Sequence, residues 1–358
     1  MNIAVIGAGN SGLAMAAHLS ADGHSVTLWN RSRENIQKLM YTRKVRCTGV
    51  LEGEYELTRV TNDIELALSD ADLVLITTPA SAHRELAKLM AAKLMKPCPI
   101  ILNPGRTFGA IEFANVLRAQ SARVEPLVAE TQTIIYTCRK TGQESVNIIA
   151  IKQGVLISAV DPDQNHTLIG LLPECIRKHF FPASSIIETS IGNVGMILHC
   201  APLLLNSGWT ESSTNSYKYY YDGISPSIGM LIERIDAERV AVGERLGIRV
   251  ETTAEWLRRT YNVRGDSLFE CVQNNAAYKT IDAPTSLQHR YILEDVPYGL
   301  VPLEALGLAL GLSMKHTTLI VDLANALLAQ DFRQTGRRLD NTFPDGNWMT
   351  VLMERSRC

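Results

Sequence analysis

Gly7, Gly9 and Gly12 follow a β-branched, apolar run from Asn2 to Ile6 and open a stretch of helical composition from Leu13 to Ala21. A second apolar run, Ser25 to Trp29, comes next. Strand, glycine turn, helix and strand in that order make one βαβ unit, a far narrower pattern than the glycine spacing alone. Each glycine has its own task. Gly7 permits the tight turn, Gly9 lets backbone amides approach a pyrophosphate, and Gly12 allows the helix to pack closely on the strand. With Asn10 and Ser11 between them, these residues present N–H groups at a helix N-terminus, where the dipole favours an anion. The chain is therefore expected to begin with a Rossmann dinucleotide-binding motif.

The end of the second strand selects the nucleotide. A site for NAD usually places an Asp or Glu there, about 20 residues past the glycines, to bind the ribose hydroxyls. Here the strand ends in Trp29, Asn30, Arg31, Ser32 and Arg33. No carboxylate stands among them to repel a phosphate, while two guanidinium groups and a hydroxyl can hold one through charge-assisted bonds. NADP(H) is the expected cofactor, read by Asn30, Arg31, Ser32 and Arg33; the opposing reading is a pair of solvated arginines in an NAD-using protein. The apolar runs Asp72 to Thr77 and Pro99 to Leu102 read as buried parallel strands, separated by the helix-like stretch Arg84 to Met95. Thr78 and Pro79 follow the first run, and Asn103 and Gly105 the second. Ligands lie at that C-terminal edge of an open parallel sheet, so these four residues join the expected cofactor-binding set.

At 358 residues the chain has room for two domains. From Leu127 to Val160 the pattern is strand-rich, which suggests added strands closing the first domain. Beyond it strand signals fade, and Ile228 to Leu246, Leu303 to Leu312 and Thr317 to Phe332 read as amphipathic helices. The expected fold is α/β: an N-terminal Rossmann domain over residues 1–184, then a mostly α-helical substrate domain over 185–358, with the active site at their meeting. A formal charge of −2 and the lack of a long basic block speak against nucleic acid as a partner. The opening apolar residues break into glycines before a secretory segment or a membrane span of about 18 residues could form. Cys47, Cys98, Cys138, Cys175, Cys200, Cys271 and Cys358 show no CxxC spacing, so no metal site or disulfide framework is expected, and a reducing cytoplasm fits best.

The helical half supplies the candidate chemistry. His199 stands in the apolar segment Gly192 to Pro202, and the block from Arg290 to Pro302 brings a guanidinium that could grip a carboxylate and an acid, Asp295, that could orient an imidazole. A lone histidine in such a segment is more often a hydrogen-bonded core residue, and Arg290 with Asp295 could be a structural ion pair. At these residues the chain resembles the octopine/nopaline (opine) dehydrogenase family. The likeness runs through the glycine turn, Asn103-Pro104-Gly105, Ala129-Glu130-Thr131, the His199 segment with Pro202 and Asn206, Tyr219 to Gly229, and the block RYILED at Arg290 to Asp295.

That resemblance implies an enzyme that condenses an amino acid or other amine with a 2-oxo acid to an imine, which hydride from the nicotinamide then reduces. It also implies His199 as general acid/base, Asp295 as its orienting partner and Arg290 as the clamp on the 2-oxo acid. Asn30 and Arg31 replace the acidic position of NAD-using relatives, so the preference for NADP(H) rests on these residues and not on the family. Small-molecule substrates are the expected partners, with no nucleic acid and no membrane; a homodimer stays open. Two other readings compete: a 2-dehydropantoate reductase-like 2-hydroxy acid dehydrogenase, which would place a lysine acid in the helical domain, and a non-catalytic NADPH-sensing protein, which would need no acid.

Overall fold

The computed structural model describes residues 1–120, 124–346 and 348–354. By packing it divides into two compact units: one of Met1–Gly105 with Gly109–Ile186, the other of Arg106–Phe108 with Ile187–Cys358. Cys358 lies outside the described residues.

Among its described residues the first unit has twelve strands: β1 Asn2–Ile6, β2 Ser25–Trp29, β3 Lys44–Gly49, β4 Gly53–Glu56, β5 Arg59–Thr61, β6 Leu73–Ile76, β7 Ile100–Leu102, β8 Val128–Thr131, β9 Tyr136–Gly142, β10 Ser145–Ile151, β11 Val155–Ala159 and β12 Phe180–Pro182. Eight form a sheet in the order β12-β11-β8-β7-β6-β1-β2-β5, parallel throughout except where β11 runs against β8. The order turns about β1, which has β2 on one side and β6 on the other. That reversal opens a crevice at the carboxyl ends of β1 and β6, the place where open α/β sheets bind ligands. Strands buried on both faces need continuous apolar runs, which is why β6, Leu73–Ile76, is buried at every position.

The remaining four strands make a second sheet, β4-β3-β10-β9. The strand-rich stretch from Leu127 to Val160 is thus shared. Its β8 and β11 extend the large sheet, while β9 and β10 pair with β3 and β4 instead. This small sheet explains the composition of α1 (Asn10–Ala21). Gly12 through Ala17 and Leu19 are all buried, because Val45, Cys47, Cys138, Val146 and Ile148 of the small sheet join them and the strands of the large sheet in one core. A helix covered on both sides is apolar all round. Further helices of this unit are α2 (Gln37–Thr42), α3 (Ile64–Leu68), α4 (His83–Ala91) and α5 (Gly109–Ala119).

The second unit is helical. The run Ile186–Leu205 is long and apolar enough to cross a membrane by length and composition, but 83% of its apolar 18-residue window is buried. Its C-terminal part is α6 (Gly195–Leu205), followed by α7 (Pro226–Arg245), α8 (Val301–Ala309) and α9 (Lys315–Leu328). Ser225 caps α7 by accepting from the Ile228 N–H, with Pro226 at the first helical position where its missing N–H costs nothing. Inside α7, the buried Arg239 pairs with Asp236 and donates to the carbonyls of Ile191 and Glu251.

Candidate functional site

The glycine turn of the first unit is shaped by sterics. Gly7 has φ +113°, open to glycine and strained for a residue with a side chain. A Cβ on Gly12 would stand 1.7 Å from the Gly7 carbonyl oxygen, so only glycine lets helix and strand approach this closely. A Cβ on Gly9 would meet nothing within 4 Å, leaving the backbone there open to a ligand. No side chain caps the N-terminus of α1, whose first amides stay available. Thr77, just past β6, donates its hydroxyl to the carbonyls of Ile6 and Gly7 and fastens the two edges of the crevice. A pyrophosphate needs open amides at a helix start and room for close approach, and this turn provides both.

Beside it lies a cavity of about 220 Å³ lined by Trp29, Asn30, Arg31, Ser32, Asn35, Thr78, Pro79, Ala82, Glu85, Leu86 and Leu89. Five of the residues expected from the sequence, Asn30, Arg31, Ser32, Thr78 and Pro79, therefore come together. Asn30 joins the cavity to the turn, accepting from the Ala8 N–H at 3.2 Å and donating to the Ser32 carbonyl at 2.9 Å. Arg33 stands exposed in a short 3-10 turn, Arg33–Asn35, and does not line the cavity. Glu85 brings in a carboxylate that the strand end lacks; Lys88 pairs with it at 2.7 Å. Asn103 turns its amide to the Ile101 carbonyl at 2.9 Å. Gly105 backs onto Glu130, whose Oε2 would lie 2.0 Å from a Cβ there. Neither of these two lines that cavity.

In the second unit, His199 projects from α6 with its side chain 16% exposed. Its Nδ1 meets Asp295 Oδ2 at 2.7 Å, and its Nε2 meets the Tyr220 hydroxyl at 3.1 Å. The ring stacks on Tyr291 with centroids 3.9 Å apart and planes 12° from parallel. Asp295 stands just before a turn of π-helix, Val296–Leu300, a local irregularity of the kind often found at functional sites. It is fully buried, and its Oδ1 pairs with Arg106 at 2.6 Å. Arg106 also reaches Glu294 at 3.2 Å and Asn193 at 2.9 Å. Arg290, about half exposed, meets the other oxygen of Glu294 at 3.2 Å. Arg290 is thus tied to the cluster through Glu294, and no direct bond joins it to His199 among the described residues.

These contacts set the protonation of the site. Burial pulls the His199 imidazole below the ordinary histidine value; Asp295 opposes this, and Arg106 and Arg290 add to the lowering. Burial also works against the Arg106 guanidinium, but Asp295 and Glu294 outweigh it and keep it firmly charged.

The sequence and its family resemblance assign roles to His199, Asp295 and Arg290 and none to Arg106, Asn193, Glu294, Tyr220 or Tyr291. Arg106 follows directly on Asn103-Pro104-Gly105, and the turn that delivers it is conformationally costly: Arg106 has φ +62° and Phe108 φ +63°. A positive φ at a non-glycine residue leaves no mark in the sequence, so nothing there pointed to Arg106.

The family described as NAD/NADP octopine/nopaline dehydrogenase, alpha-helical domain, matches residues 182–328, and that described as NAD-dependent glycerol-3-phosphate dehydrogenase N-terminus matches residues 2–104. An opine dehydrogenase of Arthrobacter sp. (strain 1C) is 36% identical over 342 residues, covering 94% of this chain and 93% of that relative. Among solved structures, octopine dehydrogenase with NADH and L-arginine superimposes with a TM-score of 0.76 at 19% identity, covering 99% of this chain and 98% of that one. Yersinopine dehydrogenase with NADP+ bound gives 0.77 at 15% identity, with the same coverages. The two structures share the fold; the Arthrobacter relative carries the kinship. This chain belongs to the opine dehydrogenase family and is an NAD(P)-dependent oxidoreductase acting on CH–NH groups by reductive condensation.

Proposed function

We propose that this enzyme prefers NADPH and joins an amino acid or other amine to a 2-oxo acid with His199 as general acid/base, Asp295 as its orienting partner and Arg290 as the carboxylate clamp. The observation that carries the reading is the line from buried Arg106 through buried Asp295 to the partly exposed His199, in which a carboxylate shared with a guanidinium holds one nitrogen of a histidine.

When bound, the dinucleotide supplies the hydride that reduces the imine carbon. The protein's own residues manage the protons. Asp295 accepts from Nδ1–H of His199, which fixes the tautomer and leaves the Nε2 lone pair for proton transfer. Burial keeps the imidazole neutral at rest. It can therefore take a proton from the substrate ammonium, freeing the nitrogen to attack the 2-oxo carbon. The imidazolium so formed, stabilised by Asp295, can return the proton to the carbinolamine hydroxyl, which leaves as water. Tyr220 stands at Nε2, the position through which these protons pass. Arg106 limits the pull of Asp295 by sharing its charge, so the imidazole stays able to release what it takes up. Arg290 is anchored through Glu294 and keeps further N–H donors for a planar carboxylate.

The preference for NADPH is supported by Arg31, Asn30 and Ser32 around one cavity, where the carboxylate of Glu85 is already paired with Lys88. A cytoplasmic setting is supported by six buried cysteines with no disulfide among the described residues. The test is an NADPH-oxidation assay with mixed 2-oxo acids and amino acids, followed by product analysis. A secondary amine that requires both substrates is expected; a 2-hydroxy acid made equally well without any amine would overturn the reading.

A further inference from the structure

The hairpin of β9 and β10 reaches the dinucleotide turn from the small sheet. The backbone N–H of Lys140 donates to Asn10 Oδ1 at 2.8 Å, and its Nζ donates to the Ala8 carbonyl at 3.1 Å. Further along the hairpin, Gln143 donates to the carbonyl of Glu34, beside Arg33, at 3.2 Å. Glu144 pairs with Lys38 and accepts from the Thr42 hydroxyl, both on α2. One hairpin thus holds the glycine turn, the segment after β2 and the helix behind it.

The backbone contact to Asn10 would suffice to dock the hairpin. The side chain of Lys140 is a separate fact. It is half-buried, and burial alone pulls its ammonium below the ordinary lysine value. Among the described residues it makes no ion pair; its acceptor is a neutral carbonyl. Lys38 and Lys44, by contrast, are paired with Glu144 and Glu54. Partial burial of a charge without a counter-charge is unfavourable, and Lys140 keeps two N–H donors beside the open amides of a twelve-residue helix, α1.

We infer that Lys140 is a pyrophosphate-binding residue of the dinucleotide site, and that the β9–β10 hairpin is part of that site. The inference rests on the reading that the glycine turn holds NAD(P). Lys140 supplies from outside the βαβ unit the positive charge that the turn lacks, and the charge acts on a group common to both nucleotides. Arg31, by contrast, faces the cavity at the end of β2.

Direct titration of the full chain with NADPH and with NADH, followed by calorimetry or nucleotide fluorescence, tests this without turnover. Lys140→Gln keeps a donor for the Ala8 carbonyl but removes the charge, and should weaken both nucleotides by about ten- to a hundredfold. Lys140→Arg should stay within a few-fold of the parent. Added salt should weaken binding by the parent more than by Lys140→Gln, because salt screens a charge contact. Equal affinity of Lys140→Gln and parent would overturn the inference, and so would a loss confined to NADPH, which would move the ammonium to the 2′-phosphate. Should Lys140→Gln not fold, acetylation of surface amines in the parent decides: either nucleotide should shield Lys140, and unchanged labelling would overturn it. A parent chain that binds neither nucleotide would instead defeat the dinucleotide reading itself.

Discussion

The glycine turn of the first unit and the charged cluster of the second are built on opposite principles. The turn uses backbone: its groups are amides, its constraint is the absence of side chains at Gly7, Gly9 and Gly12, and its residues are contiguous. The cluster uses side chains: Arg106, Asn193, His199, Glu294 and Asp295 are gathered from distant parts of the chain, and four of them are buried. A site made of amides recognises what is constant in a ligand, because NADH and NADPH bring the same pyrophosphate. A site made of coupled side chains is suited to moving protons, because each charge shifts the affinity of its neighbours.

On that contrast, the two functions should separate under mutation. The largest effect is expected from His199→Ala. Positioned acid/base catalysis is worth about a hundredfold to ten-thousandfold, so turnover should fall on that scale while nucleotide affinity holds. Steady-state kinetics with a parallel nucleotide titration measures both, and a collapse of affinity would break the comparison.

Next comes Arg106→Met, which leaves Asp295 and Glu294 buried without their shared cation. Removing one partner of a buried ion pair costs about 3 to 5 kcal/mol, visible as a lowered midpoint of thermal unfolding. The same variant loses a charge that lowers the His199 pKa, so that pKa should rise. With His199 as the proposed base, the opine-oxidising direction requires the neutral imidazole, and activity should be lost as pH falls through its pKa. The acid limb of kcat/KM for the parent should therefore lie below the ordinary histidine range, and in Arg106→Met it should move to higher pH. A limb that stays put would mean that Arg106 does not act on His199.

The smallest effect sharpens the cofactor side. Replacing Arg31 and Arg33 by alanine should raise the Michaelis constant for NADPH about ten- to a hundredfold and leave that for NADH nearly unchanged. Of the two, Arg31 lines the cavity and Arg33 does not, so the single variants should divide unequally in favour of Arg31. Unchanged discrimination in the double variant would remove the preference for NADPH.

The same contrast decides what could be read in advance. β1, α1 and β2 were legible because strand, turn and helix are each a local pattern, and the main helices of the second unit fell where the apolar period placed them. β3, β4 and β5 were not. They are short and carry charges on an exposed face, as in β3, where buried Val45 and Cys47 alternate with exposed Lys44, Arg46 and Thr48. The strands β9 and β10 were visible, but their partners were not, since register is a property of two segments and a sequence displays one. His199 and Asp295 stood out through their neighbours and the family likeness. Arg106 did not: its partners Asn193 and Glu294 lie 87 and 188 positions away, and its own surroundings in the chain are a proline, a glycine and a threonine.

Arg106–Phe108 pack with the helical unit although the chain on both sides of them belongs to the other. The inheritance of this enzyme's parts is therefore not divisible at a single seam. A chimaera that exchanged everything after Ile186 for the matching half of a relative would receive a histidine and an aspartate from one parent and their arginine from the other. Grafting a new helical unit onto this scaffold means carrying a three-residue passenger along with it.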